Sequence, residues 1–171
     1  MRPLSERARA VRLAIFDVDG VMTDGTLFIG AQGEAFKAFN TLDGHGVKML
    51  QSAGVAAAII SGRSSEAVAR RAAELAIAHV VQGSSDKAAA FEALIAMLDL
   101  TEEQCAFVGD DLPDLAVMRR CGLAGAVANA AEPVKAAAHY VTRASGGRGA
   151  VREFCELVLE AQGQLAAQSA P

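Results

Sequence analysis

Ile15-Phe16-Asp17-Val18-Asp19-Gly20-Val21-Met22-Thr23-Asp24-Gly25 is an apolar run that breaks directly into two carboxylates separated by one residue. In an extended segment residues i and i+2 project to the same side, so Asp17 and Asp19 are expected to face one site beyond the end of a strand. Two acids so placed need a cation. Gly20 and Gly25 let the chain turn sharply around a bound group, and Thr23 adds a hydroxyl within reach. The stretch therefore reads as a strand that delivers its end into a site for metal-assisted phosphate chemistry.

Outward from this stretch, short apolar runs alternate with helical patterns. Val11 to Phe16, Val55 to Ile60, Ala106 to Val108, Gly125 to Ala128 and His139 to Thr142 are predicted strands. Asp43 to Ala53, Ser64 to Ala76, Asp86 to Leu98, Leu112 to Arg120 and Ala150 to Glu160 are predicted helices, and Pro133 suits the first turn of another. This alternation predicts an α/β fold, Rossmann-like and doubly wound, around a mostly parallel sheet covered on both faces. The exception is Leu27-Phe28-Ile29 and Phe36-Lys37-Ala38-Phe39 around Gly30-Ala31-Gln32-Gly33, which reads as a β-hairpin. A hairpin cannot bury its aromatic residues alone, so it must pack on its own sheet or on another copy of the chain. Phe28, Phe36 and Phe39 belong to that packing.

The 171 residues suit one domain, 1–171, with 1–10 and 162–171 as flexible tails, and the hydrophobic content of 52% supports a packed core. A net charge of −4, with Lys and Arg scattered among acids, argues against nucleic acid as a partner. Cys105, Cys121 and Cys155 form no CxxC pair and read as reduced core thiols. Met1 to Arg12 carries arginines but no long apolar segment, and no run is long enough to span a membrane. These features predict a cytoplasmic protein without a membrane partner.

A second acidic cluster, Val108-Gly109-Asp110-Asp111-Leu112-Pro113-Asp114, also follows a short apolar run. In a parallel sheet all strand carboxyl ends lie on one edge, so the two acidic loops should converge there. Clustered carboxylates without His or Cys favour a hard ion, and Mg²⁺ is the expected one. Ile59-Ile60-Ser61-Gly62-Arg63-Ser64-Ser65 places a hydroxyl and backbone N–H groups at a strand-to-helix junction, an anion site. Ser84-Ser85-Asp86-Lys87 opens a further helix with a positive charge. Each piece alone has a plainer explanation: an Asp-x-Asp-Gly turn, an Asp helix cap, a lysine on a solvated face. Their order is what makes them informative.

That order resembles the haloacid dehalogenase superfamily: Asp17-x-Asp19-Gly-Val-x-Thr23, then Ser61, then Lys87, then Gly109-Asp-Asp-x-x-Asp114, a likeness running from about Val11 to Val151. The resemblance implies that Asp17 attacks phosphorus and that Asp19 acts as acid and then base. It implies Mg²⁺ on Asp17, the main-chain carbonyl of Asp19 and Asp110, with Asp111 and Asp114 supporting that site. Ser61, with its neighbour Gly62, and Lys87 would grip the phosphoryl group. The spacings between Asp17, Ser61 and Lys87 leave no room for a cap domain, so the chain is similar to the capless subclass, which implies a homotetramer assembled through the hairpin. Lys37-Ala-Phe-Asn-Thr-Leu-Asp-Gly44, Ser61-Gly-Arg-Ser-Ser65 and Gly146-Gly-Arg-Gly-Ala-Val-Arg-Glu153 resemble the sugar-acid phosphatases of lipopolysaccharide synthesis. The implied substrate is 3-deoxy-D-manno-octulosonate 8-phosphate, with a nine-carbon sialic-acid-type 9-phosphate as the alternative. Such substrates carry a carboxylate, for which Arg63 is the first candidate and Arg148, from its own or an adjacent subunit, the second.

Two readings of another class compete with an enzyme. A phospho-accepting receiver domain shares the sheet, the acids and a Lys, but carries its accepting Asp deeper in the chain. A silent assembly subunit would not need every motif residue to be present.

Overall fold

Leu13–Phe16 forms β1, a strand in which every residue is buried. Such a strand is apolar on both faces, which suits the middle of a sheet covered on both sides. In the computed structural model, which describes residues 2–169, β1 pairs in parallel with β4 (Ala56–Ile60) on one side and β6 (Cys105–Gly109) on the other. With β5 (His79–Val81), β7 (Leu123–Ala126) and β8 (Tyr140–Val141), they make a six-stranded sheet of order β5-β4-β1-β6-β7-β8. All neighbouring pairs are parallel. The chain winds outward from β1 through β4 to β5, then returns to β6 and winds outward the other way. The order reverses between β1 and β6, and ligands bind at the carboxyl ends of the strands at such a point.

Right-handed crossovers put the helices of the two halves on opposite faces. α1 (Leu4–Ala10), α2 (Thr41–Ser52) and α7 (Ala150–Ala161) pack together. α4 (Lys87–Met97), α5 (Leu115–Met118) and α6 (Glu132–Ala137) form the second group, and α3 (Glu66–Glu74) links β4 to β5. Polar caps fix the starts that matter to the site. Asn40 accepts from the N–H groups of Leu42 and Asp43 at the head of α2, and Asp86 accepts from that of Ala89 at the head of α4. Asp43, in the first turn of α2, is buried. It accepts from the N–H groups of Gly149 (3.2 Å) and Arg152 (2.9 Å), tying the start of α7 to α2.

β2 (Phe28–Gly30) and β3 (Gly33–Phe36) form the expected hairpin, a separate antiparallel sheet in which Phe28 and Phe36 stack with centroids 4.3 Å apart. No cap domain interrupts the sheet: β1 and β4 are joined through this hairpin and α2, and β4 and β6 through α3, β5 and α4. Among the described residues no helix is long and apolar enough to cross a membrane.

Three local expectations differ from the structure. The segment 1–10, read as a tail, carries α1: Ala8 is fully buried and Arg7 Nη1 donates to the carbonyl of Gly122 at 2.6 Å. Of the other tail, Ala166–Ser169 forms a short 3₁₀ turn, and Ala170 and Pro171 lie outside the described residues. The predicted helix from Leu112 to Arg120 splits into a 3₁₀ turn, Leu112–Asp114, and the one-turn α5, because Asp114 folds back toward the preceding loop. β7 begins two residues earlier than Gly125, since Ala-Gly-Ala has little strand preference of its own and the pairing of Ala106 with Leu123 sets the register.

Candidate active site

The carboxyl ends of β1, β4 and β6 open into a cleft of about 360 Å³, within the range of small-molecule sites. Asp17, Asp19, Ser61, Gly62, Arg63, Ser84, Ser85, Lys87, Asp110, Asp111 and Asp114 contribute to its walls. Asp17 is the first residue beyond β1, and its N–H donates to the Val108 carbonyl at 3.1 Å, which places it beside the end of β6. The chain then turns at Gly20, where φ is +93° and a Cβ would lie 2.0 Å from Asp110 Oδ2. Only glycine allows the Asp17 loop to close so tightly over Asp110.

One carboxylate oxygen each of Asp17, Asp110 and Asp114 lies within 4.8 Å of the others. Lys87, at the head of α4, reaches into this group, with Nζ 3.0 Å from Asp17 Oδ1 and 2.6 Å from Asp114 Oδ1. Asp114 also accepts from the N–H groups of Asp110 (2.9 Å) and Asp111 (3.2 Å), so it holds both the lysine and the loop. One ammonium does not balance three acids, two of them buried and Asp110 half-buried. Burial, and then the charge of Asp114, raise Asp17 to about 6 despite Lys87. Burial, and then Asp17, Asp114 and Asp111, raise Asp110 to about 7. Burial pulls Lys87 down, but Asp17 and Asp114 outweigh it and leave its pKa raised.

The donor set fits a hard divalent ion. The ligand atoms are all oxygens, the group carries excess negative charge, and Asp110 Oδ1 is buried without a hydrogen-bond donor. Asp17 and Asp110 supply carboxylates to this trio. Asp114, expected only to support the ion, supplies the third. The carboxylate of Asp19 lies outside it and turns toward Lys37 and Arg63. Asp111 is exposed and caps the following turn through the N–H of Leu112.

Ser61 is buried at the end of β4, held through its N–H to the carbonyl of Val81 and through its own carbonyl to the N–H of Ser84. Ser65, rather than Ser61, stands at the N-cap of α3, so any anion contact near Ser61 comes from the loop and not from the helix end. Arg63 lines the cleft half-exposed, with Nε 3.7 Å from Asp19 Oδ2 and Nη2 3.4 Å from Glu34 Oε2.

Two expected substrate contacts lie elsewhere. Thr23 is buried behind the loop, where its hydroxyl donates to the Val18 carbonyl and accepts from the N–H groups of Gly20 and Gly25. It shapes the turn and does not line the cleft. Arg148 is exposed, lies outside the lining residues, and pairs with Asp24 at 3.3 Å. The loop around Arg148 still bears on the site, because the N–H of Gly147 donates to the Val21 carbonyl at 2.9 Å. Lys37 and Glu34 received no role in the sequence reading, yet both contact cleft residues. A basic residue three positions after an acid, on the hairpin that follows the acidic loop, was the available signal.

A family model described as haloacid dehalogenase-like hydrolase matches residues 73–154. The 3-deoxy-D-manno-octulosonate 8-phosphate phosphatase of Yersinia pestis is 50% identical over 160 residues, which cover 94% of this chain and 86% of that one. A crystal structure of that phosphatase from Yersinia pestis superimposes with a TM-score of 0.93 at 49% identity, covering 95% of this chain and 88% of the other. A structure of the Moraxella catarrhalis phosphatase, described as a complex with magnesium, phosphate and KDO, has a TM-score of 0.94 at 43% identity, covering 96% and 94%. The chain thus belongs to the haloacid dehalogenase-like hydrolases, and within them to the 3-deoxy-D-manno-octulosonate 8-phosphate phosphatase family.

Proposed function

We infer that the protein is a Mg²⁺-dependent phosphatase that hydrolyses 3-deoxy-D-manno-octulosonate 8-phosphate to 3-deoxy-D-manno-octulosonate and phosphate, a step in making the sugar acid of lipopolysaccharide. The observation that carries this reading is the trio of Asp17, Asp110 and Asp114 around Lys87, at the reversal point of the sheet, in a chain half identical to a phosphatase of that name.

Asp17, Asp110 and the main-chain carbonyl of Asp19 would hold the ion, with Asp114 beside them. When bound, the ion offsets the repulsion between an anionic nucleophile and an anionic phosphate. Asp17 attacks phosphorus as its carboxylate, and the bond to the sugar oxygen breaks. Asp19 gives its proton to that departing oxygen. An aspartyl phosphate remains on Asp17. Asp19, now ionised, takes a proton from water as the water oxygen attacks phosphorus, which frees phosphate and regenerates Asp17. Lys87 holds Asp17 in place and faces the phosphoryl oxygens together with Ser61 and the N–H groups of Gly62 and Arg63. Arg63, half-exposed at the cleft, would take the substrate carboxylate.

The hairpin leaves Leu27, Ile29 and Phe36 exposed at 43%, 64% and 56%. Such a surface suits burial between copies of the chain, and a homotetramer through the hairpin is part of this reading. Buried, unpaired thiols suit the cytoplasm.

Phosphate release in Mg²⁺ tests the reading across 3-deoxy-D-manno-octulosonate 8-phosphate, a nine-carbon sialic-acid-type 9-phosphate and hexose phosphates. Preference for the first is expected. A better rate on another keeps the phosphatase and replaces the substrate, and no turnover on any overturns the reading.

A further inference from the structure

Lys37 follows directly on β3 and buries its side chain to 2% exposure. A buried ammonium is costly unless it is paired and hydrogen-bonded. Here two carboxylates meet it: Nζ donates to Asp19 Oδ1 and lies 2.9 Å from Glu34 Oε2. Glu34 is itself fixed, because the Ser65 hydroxyl donates to its Oε1 at 2.6 Å and Arg63 Nη2 reaches its Oε2 at 3.4 Å. The hairpin is thereby tied to the acidic loop at Asp19 and to the loop after β4 at Ser65 and Arg63.

Within this network the two oxygens of Asp19 are treated differently. Oδ1 is taken by a buried lysine whose other partner is fixed. Among the described residues the one charged partner of Oδ2 is Arg63, at 3.7 Å, and the Arg63 side chain is 48% exposed. One oxygen is held from the hairpin side while the other stays on the cleft side, beside a half-exposed cation held at longer range. A general acid works only when its proton lies within hydrogen-bond reach of the leaving oxygen, and an unrestrained carboxylate on a loop spends much of its time turned away. We propose that Lys37 is a positioning residue, holding Asp19 Oδ1 so that Oδ2 faces the ester oxygen of the substrate, with Glu34 anchoring Lys37 to the rest of the site. The inference rests on the assignment of Asp19 as the acid that protonates the leaving alcohol.

The leaving group separates this role from a merely structural one. A sugar alkoxide must receive a proton as the phosphorus–oxygen bond breaks, whereas p-nitrophenolate departs as a stable anion without one. Release of the alcohol or nitrophenolate in the first turnover, followed by rapid quench in Mg²⁺, reports that step alone, before water attacks the aspartyl phosphate. Lys37→Met is expected to slow release from 3-deoxy-D-manno-octulosonate 8-phosphate by on the order of 10²-fold and from p-nitrophenyl phosphate by less than about threefold. Lys37→Arg, which restores a donor, should recover most of the loss on the sugar phosphate.

Equal slowing of both substrates, or no slowing of either, overturns the proposal. If thermal scans show that Lys37→Met does not fold, Glu34→Gln is read the same way. It leaves the lysine facing Asp19 but loosens its anchor, so a smaller loss confined to the alkyl ester supports the proposal and equal losses overturn it. The wild type keeps the two readings apart. Nitrophenolate release without turnover of the sugar phosphate strikes the substrate assignment, and the Lys37 comparison then runs on whichever alkyl phosphate of the panel is hydrolysed.

Discussion

Gly146→Ala tests the claim that the glycine-rich loop before α7 holds the acidic loop in shape. A Cβ at Gly146 would lie 1.7 Å from the Gly20 carbonyl oxygen, 2.5 Å from its carbon and 3.0 Å from the Thr23 carbonyl oxygen. All three are backbone atoms, so no side chain can swing aside. The loop is also pinned, by Gly147 N–H to the Val21 carbonyl at 2.9 Å and Gly146 N–H to Asn129 Oδ1 at 2.8 Å. Relief of the clash requires the two loops to separate by about 1.5 Å, which breaks the first of these bonds. Overpacking of this kind costs about 1–3 kcal/mol and the lost bond about 1 more, so a destabilisation of roughly 2–4 kcal/mol is expected. For a chain of this length that corresponds to a fall in Tm of roughly 6–12 °C. The same shift moves Asp19 and Gly20 away from Asp110, and displacements near 1 Å can cost on the order of 10²-fold in rate. Thermal unfolding and phosphate release measure the two effects on one preparation. Gly33→Ala is the control: unlike Gly146 it sits at positive φ, but its Cβ meets nothing within 4 Å, so only local strain and no loss of activity is expected. A Gly146→Ala protein within about 0.5 kcal/mol of wild type and with unchanged kcat/KM would refute the argument.

Metal removal should show its sign in stability as well as in rate. Asp110 folds with its pKa raised to about 7, so the metal-free native state holds a proton that the unfolded chain gives up near its ordinary value of 3.8. Its contribution is therefore harmless at low pH and becomes destabilising as pH rises toward and through 7. In chelator at pH 8 the Asp110→Asn protein should unfold at a higher temperature than wild type, with the gap narrowing toward pH 5, and it should lose most of the stabilisation that Mg²⁺ gives wild type; the opposite order in thermal scans would contradict the repulsion described. Burial raises Cys105 and Cys121 to about 12 and Cys155 well above the usual thiol range, so the native protein at pH 8 should resist iodoacetamide while the unfolded protein takes up three labels by mass spectrometry. Loss of Arg63 should raise KM for the sugar-acid phosphate several-fold more than for a simple phosphate ester, and equal changes in steady-state assays would remove its carboxylate role.

What could be read from the sequence is what short-range chemistry dictates. Leu13–Phe16 and Cys105–Gly109 are buried on both faces, so their apolar runs announce central strands, and the acids that follow must lie at the edge where such strands end. The trio of Asp17, Asp110 and Asp114 is thus legible from two local motifs and the parallel rule. Contacts set by how loops lie across one another were not. Thr23 has the right chemistry to meet a phosphate, but the turn at Gly20 directs its hydroxyl at the backbone. Arg148 has the right charge, but Asp24 takes it. Lys37 is 18 residues from Asp19, and only the fold of the hairpin brings them together. α1 was missed because Leu4–Ala10 is rich in charge, and its attachment comes from buried Ala8, partly buried Leu4 and two arginines, Arg7 and Arg9, that reach the distant carbonyls of Gly122 and Ala161.

These contacts explain how an acidic protein can bind a doubly anionic sugar. The cleft contains five carboxylates, yet each is answered locally or left for a cation: Asp114 by Lys87 and two backbone N–H groups, Asp19 by Lys37 and Arg63, Asp111 by the turn it caps, and Asp17 and Asp110 in large part by the ion the site is built to take. Lys37 is buried and committed, whereas Arg63 is half-exposed and held at longer range by Asp19 and Glu34. In the proposed reading, attraction to a substrate carboxylate falls to the more exposed and weakly held guanidinium, while orientation of Asp19 falls to the buried ammonium. A hairpin of a few residues in this way performs, in a chain without a cap domain, a task that a cap would otherwise take: through Lys37 and Glu34 it holds Asp19 from outside the loop that carries it.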